Sequence, residues 1–120
     1  CTSPLRRKND IDTAISLVEE EGFDSALSVC QDHNFYWTDE ESAEPVNYDP
    51  QDRKMRQEIQ NKYRENGSIY VFKTSILKEK GCRLGGKIGL YEMPKTHSFE
   101  IDTPEDLKIV EAIAKEIQFN

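Results

Sequence analysis

Apolar and polar positions along this chain follow two periods. Ile11, Ala14, Ile15 and Val18 fall at the i, i+3, i+4, i+7 spacing of an amphipathic helix, which predicts a helix over residues 9–21. Asn9 suits its N-cap, with Asp12 three positions on, and Gly22 suits its stop. Ser25–Gln31 mixes small, β-branched and apolar residues in a short run, as a buried strand does. Residues 68–72 (SIYVF) carry the strongest β-propensity and follow the turn signal Asn66-Gly67. Further on, a short helix is expected over residues 74–80, closed by Gly81, and a strand over 88–93 after Gly85-Gly86. In residues 98–102, Phe99 and Ile101 alternate with Ser98, Glu100 and Asp102, which predicts another strand.

Thr103, Pro104 and Asp106 open a last helix as N-cap, first helical residue and acidic third position. Leu107, Val110, Ala114 and Ile117, flanked by Ile109 and Ile113, form its expected buried stripe. Between residues 32 and 60 the chain turns polar and aromatic, with only a possible strand at residues 35–37. A connection of that length is usually a binding loop or lid. The order α, β, long loop, β, short α, β, β, α fits the second half of a mixed α/β sandwich.

Composition narrows the function. With 120 residues, 16 Lys+Arg and 23 Asp+Glu, the chain is at most one domain and carries a formal charge of −7. Its mean hydropathy of −0.77 and lack of any long apolar run argue for no membrane partner. The acidic balance argues equally for no nucleic acid, since Arg6, Arg7 and Lys8 make the longest basic run. Cys1, Cys30 and Cys82 are odd in number and lack metal-like spacing. Reduced thiols and a cytoplasmic address are therefore expected, with no basic partner evident near Cys30. The abrupt start at Cys1-Thr2-Ser3-Pro4 suggests a piece of a longer chain.

If residues 98–102 form a strand, Glu100 and Asp102 share one face about 7 Å apart, while Phe99 and Ile101 anchor the other. Paired carboxylates where a strand turns into a helix suit Mg²⁺, which takes one or two carboxylates plus substrate phosphates and water. They equally suit solvated acids, with Asp102 helping to cap the helix. Arg56, Gln57, Asn66 and Tyr70 flank the Asn-Gly turn; they offer either a fork and hydrogen bonds to an anionic substrate or an ordinary basic surface beside a turn. Thr2 and Ser3 are hydroxyls that either meet a ligand or bond backbone.

Thr2-Ser3-Pro4-Leu5-Arg6, Arg56-Gln57, Tyr63-x-x-Asn66-Gly67-Ser68-Ile69-Tyr70 and Glu100-Ile101-Asp102-Thr103-Pro104-Glu105-Asp106 together resemble the acylneuraminate cytidylyltransferases, the CMP-sialic acid synthetases, in order and over nearly the whole chain. The resemblance implies the C-terminal half of a Rossmann-like nucleotide-diphospho-sugar-transferase sandwich with a mixed sheet. It further implies a dimerisation-type insert around residues 74–92 and a homodimer in the longer protein. The implied reaction joins CTP to a nonulosonic, sialic-type 2-keto-3-deoxy acid with Mg²⁺, releasing pyrophosphate. On this resemblance Arg56 and Asp102 are catalytic; Thr2, Ser3, Arg56, Gln57, Asn66 and Tyr70 bind substrate; Asp102 and Glu100 hold the metal. The family's Gly-rich triphosphate loop has no counterpart in these residues, so the chain alone is expected to be inactive. A non-catalytic sugar-acid-binding or dimerisation module is the alternative.

Overall fold

A computed structural model describes residues 2–117. Eight regular elements follow one another: α1 (Asp10–Glu19), β1 (Ser25–Gln31), β2 (Trp37–Asp39), β3 (Ala43–Pro45), β4 (Tyr63–Phe72), α2 (Thr74–Lys80), β5 (Ile88–Glu92) and α3 (Pro104–Glu116). Short 3-10 turns lie at Pro50–Asp52, Arg56–Glu58 and Lys95–His97. The main sheet has the order β4-β1-β5, and β1 runs antiparallel to β4 but parallel to β5. The chain is thus α/β with a mixed sheet.

Ser25 through Cys30 are all buried, as expected of a central strand covered on both faces. Small side chains at Ser25, Ala26 and Ser28 let neighbouring layers approach closely. Ala14 and Val18 of α1 turn inward, and Ala14 packs with Ile69 of β4 and Met93 after β5. The helix is shorter than expected at its C-terminal end, and Asn9 caps it without a side-chain bond. The Asp10 carboxylate instead accepts from the Arg7 N–H at 2.5 Å, closing the preceding turn. Ile11, expected in the stripe, is exposed.

Two other expectations change. Asn66-Gly67 is not a turn before a strand but lies inside β4, where the pairing jumps from Leu27↔Tyr70 to Val29↔Glu65. The extra β4 residues form a bulge, and Gly67 supplies the φ of +67° it needs. Nor do residues 98–102 form a strand. Their backbone bonds go elsewhere: the Ser98 N–H closes the Lys95–His97 turn through Lys95 O, and the Ile101 N–H donates to Thr2 O at 2.7 Å. Ser98 is buried, while Phe99 and Ile101 are only half-buried, so the expected two-faced alternation is lost.

The expected strand at residues 35–37 is displaced into a small, fully exposed hairpin of β2 and β3. Thr103 caps α3 as expected: its side chain accepts from the Asp106 N–H, and Asp106 accepts from the Thr103 N–H. The stripe is only partly covered, however, with Val110 buried but Leu107 and Ile109 exposed. Leu107 stays 44% exposed.

Candidate functional site

The β4 bulge draws together three segments remote in sequence. Asn66 is fully buried, and its side chain is completely engaged. Its Oδ1 accepts from Ser28 Oγ at 2.5 Å and from the Ser68 N–H at 3.2 Å. Its Nδ2 donates to Ser98 Oγ at 3.1 Å and lies 3.5 Å from Met93 Sδ. The side-chain amide therefore ties β1, β4 and the segment after β5 to one another. Its backbone oxygen accepts from Ser3 Oγ at 3.3 Å, bringing in the loop of residues 2–6.

That loop is braced from its own end. Arg6 donates to Ser3 O at 3.0 Å and reaches Ser68 Oγ at 3.5 Å. Thr2 is exposed, and its carbonyl holds the Ile101 N–H. The Glu100 carboxylate lies against the Cα of Gly67, in the space that a side chain there would take, with Ser3 Oγ nearby. The Tyr70 hydroxyl bonds Glu65, and the Arg83 guanidinium sits 3.7 Å from the Tyr70 ring centroid. Burial first, then the Glu65 bond, raises the Tyr70 pKa; the charge of Glu100 adds to this and Arg83 opposes it. The phenol is thus a neutral donor.

Asp102 is exposed, and only its backbone N–H joins the α3 cap, donating to Asp106 at 3.1 Å. Among the described residues no group of three or more His, Cys, Asp or Glu side chains is gathered as a protein-only metal cage. Glu100 and Asp102 carry no ion pair among those residues. The shared strand face expected of the two is absent, because residues 98–102 are not a strand; as carboxylates they keep the hard-oxygen chemistry that suits an ion completed by phosphate and water.

Arg56 and Gln57 stand apart from the bulge. Arg56 lines a cleft of about 310 Å³ between the C-terminal end of β1, the start of β4 and the loop of residues 53–56. Arg53, Lys54, Arg64, Lys95 and His33 share that cleft with Asp32. Gln57, in the adjoining 3-10 turn, lies 4.0 Å through its amide from Met55 Sδ and is not among the cleft-lining residues. Arg64 also donates to Cys30 Sγ at 3.1 Å, so the buried thiol does have a basic partner. Strand pairing, which sets Cys30 opposite Arg64, creates that contact across 34 positions.

Sequence reasoning missed Ser28, Ser98, Arg64 and Lys95, and it missed the brace formed by Asp10 and Tyr91. Asp10 is almost wholly buried, and its Oδ1 accepts from Tyr91 Oη at 2.5 Å and pairs with Arg7 at 3.0 Å. Burial acts to raise the Asp10 pKa, but the bonds from Tyr91 and Arg7 together outweigh it and hold the carboxyl below its usual range.

A mixed α/β sheet of this kind is compatible with a nucleotidyltransferase-like fold. The chain is 36% identical over 115 residues to N-acylneuraminate cytidylyltransferase A of Danio rerio, covering 92% of this chain and 26% of that protein. It is 32% identical, with the same coverages, to N-acylneuraminate cytidylyltransferase of Oncorhynchus mykiss. Over 56 residues, 47% of this chain and 24% of the other, it is 41% identical to CMP-N,N'-diacetyllegionaminic acid synthase of Campylobacter jejuni. No protein-family profile matches. The chain is a homologue of one segment of the N-acylneuraminate cytidylyltransferases, and it spans about a quarter of the length of these curated relatives. No helix among the described residues is long and apolar enough to cross a membrane.

Proposed function

We propose that this chain is the sugar-acid side of a Rossmann-like cytidylyltransferase that joins CTP to a sialic-type 2-keto-3-deoxy acid. The observation that carries the reading is the convergence at the β4 bulge. Ser3, Asn66-Gly67 and Glu100, each from a different stretch of the family-like pattern, meet there.

In this reading the anomeric hydroxyl of the sugar attacks the α-phosphorus of CTP in line, forming the new P–O bond as the bond to pyrophosphate breaks and the hydroxyl proton is released to solvent. Arg56 meets the carboxylate of the acid as a planar fork, Gln57 stands beside it, and Thr2 and Ser3 line the substrate loop. Tyr70, whose single O–H is given to Glu65, offers the sugar its neutral hydroxyl oxygen and the edge of its ring. Asn66 contributes by holding the bulge, since its amide has no bond left to give. Asp102, with Glu100, would hold Mg²⁺, which when bound offsets charge on the phosphates and the departing pyrophosphate. Exposed Leu77, Ile88 and Leu90 support a subunit contact in residues 74–92 of a homodimer.

The test is pyrophosphate release by the longer parent protein with CTP, Mg²⁺ and a panel of nonulosonic acids, beside this chain and an Asp102→Ala parent. Release with one acid, lost in Asp102→Ala and absent from the short chain, is expected. No release with any acid would move the reading to a non-catalytic sugar-acid-binding or dimerisation module.

A further inference from the structure

The cleft beside β1 gathers more positive charge than one carboxylate requires. Arg53, Arg56, Arg64 and Lys95 have no carboxylate within ion-pair distance among the described residues, whereas Lys54 is paired with Asp52 at 3.1 Å. His33 adds a further donor. The one acid in the cleft, Asp32, accepts from Tyr36 Oη at 2.5 Å and the Asn34 N–H at 2.9 Å; burial acts to raise its pKa, but these bonds and the nearby Arg64 charge hold it below the usual range, so it stays ionised and offsets one of the cations. In a chain of net charge −7, Arg53, Arg56, Arg64 and Lys95 set against the single carboxylate of Asp32 leave a local excess of positive charge in which the cations repel one another.

Two of these cations are held in place. Arg64 is half-buried and fixed by its bond to Cys30 Sγ, and Arg53 lies 4.7 Å from the centroid of the Phe35 ring. A guanidinium fixed beforehand binds an oxyanion with less loss of side-chain freedom. The cleft volume of about 310 Å³ accommodates a group the size of pyrophosphate.

We propose that Arg53, Arg64 and Lys95 form a phosphate-binding position in this cleft, separate from the carboxylate contact assigned to Arg56, and that its ligand is a phosphate-bearing small molecule. A tetrahedral oxyanion presents several acceptors at once, and this matches two planar forks and an ammonium converging from different segments.

Calorimetric and amide-NMR titration of this chain with pyrophosphate, in a chelator so that no metal bridges the contact, tests the position. Saturable binding is expected, with shifts centred on residues 31–35, 53–56, 64 and 95. Arg64→Gln and Lys95→Gln should each weaken it about tenfold, roughly one charge-assisted hydrogen bond's worth. Arg53→Gln, at an exposed site, gives the same reading should the Arg64 variant disturb β4. Lys78→Gln and Lys80→Gln on α2 are the charge controls and should change nothing. Competition by CTP would assign the phosphate to the nucleotide, and its absence to a separate ligand. No binding, or equal weakening by the α2 controls, overturns the proposal. A sialic-type acid titrated alone tests the Arg56 contact separately, so either assignment can fail while the other stands.

Discussion

Glu100 rests its carboxylate on the bare Cα of Gly67, so the residue at the crest of the β4 bulge can have no side chain while the acid keeps that place. The same glycine has φ +67°, a conformation that costs any other L-residue about 1 kcal/mol. Gly67→Ala should therefore destabilise the chain by about 1–3 kcal/mol in urea unfolding. Adding Glu100→Ala should restore part of that loss. Full additivity of the two substitutions would show that the side chains do not compete for the space.

Asn66→Ala removes the amide that joins Ser28, Ser68 and Ser98, leaving buried partners unsatisfied. A loss of about 2–4 kcal/mol is expected, because each abandoned buried group costs about 1–3 kcal/mol. Amide exchange should quicken at Ser68 and along β4. A change below 0.5 kcal/mol, on the order expected of surface substitutions, would mean that the amide is replaceable by water.

Asp102 and Thr103 separate chemistry from capping. Thr103→Ala should cost α3 about 1 kcal/mol, seen as lower helicity by circular dichroism, because its hydroxyl holds the Asp106 N–H. Asp102→Ala keeps the backbone N–H that the cap uses and should leave stability within about 0.5 kcal/mol. In the parent protein it should nevertheless abolish pyrophosphate release. If stability and activity fell together, Asp102 would be a structural residue.

Asp10 predicts an acid-side effect. Its folded pKa is lowered, so between the folded and unfolded values the unfolded chain binds more protons. Its contribution is complete above the ordinary carboxyl pKa, 3.8, and is lost as the pH falls through the folded value. Tyr91→Phe removes one of the bonds responsible and should flatten the decline in stability below pH 3.8 while lowering the plateau by about 1–3 kcal/mol. An unchanged slope would show that Arg7 alone sets the carboxyl.

What could be read from the sequence was local. Ala14 and Val18 announce the inner face of α1, the run from Ser25 to Gln31 announces β1, and Thr103-Pro104 announces the start of α3, because each signal depends on near neighbours. The failures were decided by partners. Residues 98–102 alternate like a strand, yet the Ile101 N–H finds Thr2 rather than a ladder. Asn66-Gly67 reads as a turn until β1 is laid beside it, when it becomes a bulge. Leu107 belongs to a helical stripe, but how far it is covered depends on what packs against α3, and it stays exposed. Arg64 and Lys95 join Arg56 only through strand pairing and a later turn, so their spacing carried no hint of a shared cleft.

The parallel pairing of β1 with β5 has a kinetic consequence. Ser25 meets Ile88 and Val29 meets Glu92, so the central strand cannot be completed until most of the chain has emerged and returned. Closing so long a loop costs entropy before its contacts repay it. The hairpin-like pairing of β1 with β4 spans less chain and can form earlier, while the Ser3–Asn66–Ser98 junction requires β5 to have delivered Ser98. The candidate site is thus assembled late, and a folding intermediate holding β1 and β4 would have a sheet but no site.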